Sequence, residues 1–441
     1  MHSRYRPAIA ALAFLFVPAV DAQQAQPPVT NPPITNPQVP QAPDDVRTLV
    51  GRLDLERYKA TIKGLTQFGD RREGTERNRK AVDWIEAQLK SYNCETGRIS
   101  YDPANPQGLT TEEIEERRAA RGGGGGGQGR GGQGRGGQQT AQRTPAGTPE
   151  DPVRRGAGGK GFGRPTGVNR DPERQTDEKL RALNMGPIIP GPVDMVYCTK
   201  WGTTRRGEMY IVGGHMDGIG YGEAANDDGS GTAIVMELAR IFSAPGVTTD
   251  VSIRFALWNG EEGGLKGANA YVAQRRKLQG TPQEPKWLGM VQHDMMMWDH
   301  GMPNPDGTLR KEQRREADVN IEFREVPATA TEAQQLVATA AMKLAFFFRN
   351  ANERYATDYP ATVGNHMQST DSMPFSDFIP AISLRENERR DHIGFGWDPH
   401  WHQVTDVFTT FTDADFRLGL NAAQTTLAAV AQLAGAKVKA Q

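Results

Sequence analysis

Three apolar runs in the second half of the chain end in residues that bind metals or move protons. EMYIVGG leads into His215-Met216-Asp217, VSIRFALWNG into Glu261-Glu262, and WLGMVQ into His293-Asp294. The loop after His215 holds Ala225-Asn226-Asp227-Asp228-Gly229-Ser230-Gly231. Further on come Asp398-Pro399-His400-Trp401-His402 and then Asp406. Imidazole nitrogen and carboxylate oxygen are ligands that zinc accepts, and a catalytic zinc keeps one position for water. Two ions about 3.5–4 Å apart need a carboxylate to bridge them, and Asp227 sits in a glycine-flanked turn that lets a carboxylate approach both. Adjacent Glu261 and Glu262 point in different directions, so one can bind metal while the other takes a proton from water and returns it to a leaving amine.

For such residues to meet, the strands that carry them must lie side by side with their carboxyl ends together. PVDMVYC, EMYIVGGH, VSIRFALWN and WLGMVQHD read as strands, several of them apolar enough to be buried on both faces. VNIEFREV (319–326) and IPAISL (379–384) add two more. Helical patterns fill Gly231–Phe242, Gly264–Arg276, Glu332–Asn350 and Ala414–Leu433. Two earlier helices carry Leu49, Leu53, Leu55 and Tyr58, then Ala81, Trp84, Ile85 and Leu89. Alternating strands and helices imply an α/β fold, a mixed, largely parallel central sheet with helices on both faces. In such sheets ligands gather at the carboxyl ends of strands. Taken singly, each residue has a plainer reading: His215 as a structural strand-end histidine, Asp227 as a helix cap, Glu261-Glu262 as a solvated helix start. Asp228 reads as a helix-start carboxylate, Met295-Met296-Met297 as core filling, and His293, His300, His366 and His392 as surface or packing residues.

Residues 1–22 read as a secretory signal peptide, with Arg4 and Arg6 ahead of a short apolar core, Ala8 to Val20, and small residues near a cleavage point. That core is shorter than the roughly 20 residues a bilayer span needs. The expected location is periplasmic or secreted. Residues 23–44 form a Pro/Gln-rich linker, and one domain runs over 45–441. Within it, about 103–172 is dominated by Gly, Arg, Gln and Pro and is expected to be a disordered surface insertion. Without residues 1–22 the chain has 50 basic and 52 acidic residues, a balance that argues against nucleic acid or an anionic membrane as main partner. Its two cysteines lie at the head and tail of two strands, CETGRISY and VDMVYC. An antiparallel pairing of these would bring Cys94 and Cys198 together as a disulfide; two buried free thiols are the alternative.

HMD, AANDDGSG, NGEEGGLKG, QHDM and HWHQVTD occur in that order. Together they resemble the co-catalytic zinc exopeptidases of the bacterial leucyl aminopeptidase and glutamate carboxypeptidase type. The resemblance spans residues 190–300 and, more loosely, 360–435. It implies a single catalytic domain with two Zn2+ per chain. His215 and Asp294 would bind one zinc, Glu262 and His402 the other, and Asp227 both. It implies Glu261 as general base and Asp217 as the residue that orients His215. His402 is chosen over His400 because Asp406 follows it by four residues, as the family pattern requires. Where the family often has Ser-Asp-His and then Phe, this chain has Ser369-Thr370-Asp371-Ser372-Met373-Pro374-Phe375, with Ser372 at the histidine position.

The resemblance implies hydrolysis of the terminal bond of peptide substrates, with aminopeptidase as the leading activity. A carboxypeptidase would need a basic residue for the terminal carboxylate, for which Arg385, Arg389 and Arg390 are the candidates. A glutaminyl cyclase would use one zinc, and a binding ectodomain would have lost ligands that this chain keeps.

Overall fold

In the computed structural model the described residues are 44–122, 168–299, 318–386, 398 and 400–439. The expected signal peptide, the linker up to residue 43 and the glycine-rich centre of the insertion lie outside them. The chain folds through α1 (Asp45–Val50), α2 (Leu55–Thr66), α3 (Glu76–Ser91), β1 (Glu95–Tyr101), α4 (Thr111–Gly122), α5 (Glu178–Asn184), β2 (Val193–Lys200) and β3 (Arg205–His215). It continues through α6 (Gly229–Phe242), β4 (Val247–Thr248), β5 (Val251–Trp258), α7 (Lys266–Arg275), β6 (Lys286–His293) and β7 (Val319–Phe323). The last elements are α8 (Glu332–Tyr355), β8 (Ala361–Gly364), β9 (Ala381–Glu386), α9 (Asp413–Leu433) and β10 (Lys437–Val438). All described residues fall in the compact unit Pro43–Gln441.

Eight strands form one sheet in the order β1-β2-β5-β3-β6-β9-β7-β8. The central pairs β5–β3, β3–β6 and β6–β9 are parallel, while β1–β2, β2–β5 and β9–β7 are antiparallel. This is the expected mixed, largely parallel sheet. Alternate residues of β5 enter two separate cores: Ile253, Phe255 and Leu257 on one face, Ala256 and Trp258 on the other. The first face is covered by α6, α9 and neighbouring helices. The second is covered by α7 and an aromatic cluster of Trp258, Tyr271, Trp287 and Phe375. Helix α6 is apolar nearly all round and only its Arg240 escapes burial, as a helix held between sheet and helices requires. No helix among the described residues is long and apolar enough to cross a membrane.

Strand β3 lies between β5 and β6, so successive connections leave it on one side and return on the other. The carboxyl ends of these three strands therefore open a crevice at a switch in the topology. The strand expected at 319–326 forms as β7 over its first five residues and pairs with β9 inside the main sheet. Strand β8 was not anticipated; it is four residues long and too short to show a pattern.

The insertion is narrower than its composition implies. Residues 111–122 form α4, begun by acidic Glu112 and Glu113 in its first turn. At the other end Asn169 is buried; its amide N donates to His402 O (3.0 Å) and its side chain to Gly220 O (3.1 Å). Polar residues are thus ordered here by backbone partners supplied from distant segments.

Cys94 and Cys198 are bridged, with Cα atoms 5.6 Å apart. The register sets Thr96, not Cys94, opposite Cys198, so the bond closes diagonally from the residue preceding β1. The bridge joins positions 104 residues apart. Replacing both cysteines by alanine should lower stability by about 2–4 kcal/mol, read from urea unfolding. A thiol titration of the unfolded, unreduced chain should find no free sulfhydryl.

Candidate metal centre

Each sequence-derived candidate reaches the crevice from a strand end or from a loop braced against one. His215 closes β3. Its main-chain N–H donates to Asp228 Oδ2 (3.0 Å) and its carbonyl accepts from Thr232 Oγ1 (2.6 Å), so the start of α6 holds the strand end. The two approach so closely that a Cβ on Gly214 would stand 2.8 Å from the Gly231 carbonyl carbon. Asp228 caps α6 through Gly231 N (2.9 Å) and also accepts from Met295 N (3.1 Å), which makes it the helix-start carboxylate expected. Asp227, one residue earlier, is left to face the crevice.

Two groups of three donors form there, each with its atoms within 4.8 Å of one another: His215, Asp227 and Asp294, and Asp227, Glu262 and His402. Asp227 belongs to both. Its Oδ1 lies 3.2 Å from His215 Nε2 and its Oδ2 2.9 Å from His402 Nε2. Asp294 Oδ1 stands 3.8 Å from His215 Nε2, and Glu262 Oε2 3.0 Å from His402 Nε2. The donor set is two imidazoles and three carboxylates, and Glu262 Oε1 is buried with no hydrogen-bond partner among the described residues. The chemistry and the spare acceptor both fit a pair of zinc ions.

Asp217 acts differently from the expectation. The contact to His215 Nδ1 comes from the main-chain carbonyl of Asp217, at 3.0 Å; its Oδ1 is 3.8 Å away and accepts from Glu261 N at 3.1 Å. The residue thus holds both the imidazole and the backbone of Glu261, because its side chain turns toward the β5 loop. A cavity of about 600 Å3 opens beside Asp217 and Glu262, with Glu73, Ile188, Tyr221 and Lys266 among its walls.

Two supporting residues were not assigned these contacts from sequence. Asp406 entered only as a spacing mark; its carboxylate accepts from Asn226 N (2.8 Å) and Asp227 N (3.1 Å) and so fixes the shared carboxylate. Arg385, proposed for a substrate carboxylate, is instead buried and binds Asp294 Oδ2 at 2.6 Å. It follows from the parallel register of β6 and β9, which carries Arg385 up beside Asp294. Arg389 and Arg390 lie outside the described residues, as do His300 and His392. His400 packs between Trp298 and Phe411 with Nδ1 2.8 Å from Thr405 Oγ1, and His293 is buried against Gly213 O and Thr426 Oγ1. His366 meets Glu322, and Met295 to Met297 are buried. Ser372 turns inward to Ser383 Oγ (2.8 Å), while Phe375 joins the aromatic cluster.

The crowded carboxylates shift one another. Burial, reinforced by Asp227, pushes Glu262 up to about 7 against the pull of His402. Burial also holds Glu261 well above the carboxylate range, with Asp371, Asp294 and Glu262 adding to it and His215 opposing. For Asp227 burial is outweighed by His215 and His402, which keep it ionised well below the usual range. Burial works against a charge on either imidazole, yet the surrounding carboxylates raise both His215 and His402.

The profile described as Peptidase family M28 matches residues 196–417. The chain is 34% identical over 97 residues to "Leupeptin-inactivating enzyme 1" of Streptomyces exfoliatus, a match covering 22% of this chain and 20% of that protein. It is 32% identical over 130 residues to an "Aminopeptidase" of Pseudomonas aeruginosa, covering 26% of this chain and 23% of the other. The chain thus matches about a quarter or less of the length of these curated relatives. The solved structure of an aminopeptidase from Aneurinibacillus sp. strain AM-1 superposes with a TM-score of 0.51 at 18% identity, over 89% of this chain and 97% of that one. That likeness is one of fold.

In chelator-treated protein the two glutamates and two histidines are all more protonated folded than unfolded. Raised folded values mean stability that is present at low pH and lost as pH rises, for Glu262 from the ordinary carboxyl range up to about 7, and for the histidines from about 6.5 upward. The melting temperature without metal should therefore fall as the pH rises from about 4.5 through about 7 and above. Added zinc, which needs deprotonated ligands, should raise it most at the upper end.

Proposed function

We propose that this chain, which belongs to peptidase family M28, is an exported zinc-dependent exopeptidase that releases residues from the amino end of peptides. The observation that carries the reading is the pair of donor groups sharing Asp227. His215, Asp227 and Asp294 would hold one zinc, and Asp227, Glu262 and His402 a second. Two such ions supply Lewis acidity, which polarises the scissile carbonyl and activates water at neutral pH.

The chain's own residues do the rest. Glu261 is the general base: its carboxylate takes the proton of the attacking water as the C–O bond forms, and returns it to the amine as the C–N bond breaks. Asp217 holds that loop through Glu261 N and holds the His215 ring through its carbonyl. Arg385 keeps Asp294 to one open oxygen. With Arg385 engaged by Asp294, it offers nothing to a terminal carboxylate. The loss of that candidate supports cleavage at the amino end. The name of the Pseudomonas aeruginosa relative points the same way. Export rests on residues 1–22, and the Cys94–Cys198 bridge supports an oxidising compartment.

Glu261→Gln should lower kcat by about 10²- to 10⁴-fold while metal analysis still finds two zinc ions per chain. Turnover near wild type would remove Glu261 from its role, and a single zinc in the active wild-type chain would favour the cyclase chemistry. A peptide blocked at its amine should resist the enzyme, and one blocked only at its carboxylate should be cleaved. The opposite pattern would make the enzyme a carboxypeptidase.

A further inference from the structure

The turn between α2 and α3, Asp70-Arg71-Arg72-Glu73, lies far in sequence from the ligands, yet two of its side chains reach the loops that carry them. We propose that Arg71 and Glu73 are positioning residues that lock the ligand-bearing loops after β3 and β5 to one another, so that the centre is assembled before metal binds. This rests on the reading of the site as a zinc centre with Glu261 as base.

Arg71 is fully buried and spends its guanidinium on main-chain carbonyls. Nε donates to Met216 O (2.7 Å), Nη1 to Glu223 O (2.8 Å) and Gly69 O (3.1 Å), and Nη2 to Ala224 O (2.8 Å). Met216 follows His215, and Glu223 and Ala224 lead into Asp227. One rigid planar group therefore fastens both ends of the single loop after β3, the ends whose side chains meet at His215 Nε2 and Asp227 Oδ1. Buried carbonyls need donors, and a lysine ammonium, a single point on a flexible stem, cannot serve carbonyls spread around a fork. Burial lowers the hold of the guanidinium on its charge, and the carboxylates of Asp406, Asp70, Asp217 and Asp228 oppose that effect.

Glu73 does the same for the loop after β5. Its Oε2 accepts from Lys266 Nζ (2.5 Å) at the start of α7, and its Oε1 lies 2.9 Å from Tyr101 Oη. That hydroxyl is also 2.7 Å from Asn259 O, so its one proton ties either the glutamate or the loop backbone. The carboxylate lies so close under the loop that a Cβ on Gly260, at φ +75°, would overlap Glu73 Oε1. Gly260 immediately precedes Glu261 and Glu262, so the aim of both depends on this contact.

The test uses the full chain with Arg71→Lys, Arg71→Met and Glu73→Gln. Each is stripped by chelator and titrated with Zn2+ against a fluorescent zinc indicator, then reloaded for peptide turnover. Both Arg71 variants should bind zinc at least about tenfold more weakly. They should also gain less melting temperature on zinc addition, a difference that loss of general stability alone does not produce. Arg71→Lys keeps the charge and most of the stem, so it decides even if methionine impairs folding. Glu73→Gln should keep zinc affinity within about threefold but lose about tenfold in kcat at unchanged KM. Wild-type zinc affinity in both Arg71 variants overturns the first half. Unchanged kcat, or a raised KM alone, in Glu73→Gln overturns the second. A wild-type chain that binds no zinc overturns the functional reading itself.

Discussion

Asp227 presents one carboxylate oxygen to each of two imidazoles, His215 and His402, which lie far apart in the sequence. A carboxylate can serve two partners only if its backbone is held still and its own charge is tolerated in a buried place. The surrounding structure meets both demands. Asp406 grips the main-chain N–H groups of Asn226 and Asp227, and Asp228 caps α6 immediately behind. The close approach of Gly214 and Gly231 sets the height of that helix on the sheet. Displacement of any of these would move the shared oxygen pair relative to both imidazoles.

Gathering so many acids in one interior creates an electrostatic load that unpaired carboxylates could not bear. The chain offsets it with buried guanidinium groups rather than with solvent. Arg385 neutralises Asp294 from the neighbouring strand, Arg77 pairs with Asp70, and Arg71 sits among four carboxylates while serving carbonyls. Arginine suits this because it stays charged and donates in a fixed fork. At Glu261 and Glu262 charge that faces the crevice remains unbalanced, and bound cations would answer it.

The elements of the fold were largely legible because their signals are local. Buried parallel strands are continuous apolar runs, and β3, β5 and β6 show them; α6, α8 and α9 show helical spacing. Strand β8 was missed because four residues carry no period, and α4 because its polar sequence sits beside a glycine-rich tract. Asn169 was placed in a disordered segment on composition alone, whereas its order comes from His402 and Gly220, contacts no local window contains. The ligand candidates were legible for a different reason: strand ends in an α/β sheet are where side chains converge, so residue type and position together select them.

By itself the sequence determined which residues are candidates for chemistry and which elements deliver them, since both follow from local pattern and from the order of motifs. Only the tertiary structure decided how those residues are held. That Asp217 works through its carbonyl and its turn toward Glu261, that Arg385 belongs to Asp294 and not to a substrate, and that Arg71 and Glu73 reach the ligand loops are all matters of register and through-space distance. Strand pairing and loop packing set such distances to tenths of an ångström between residues up to some 190 positions apart, and nothing in a one-dimensional pattern encodes them.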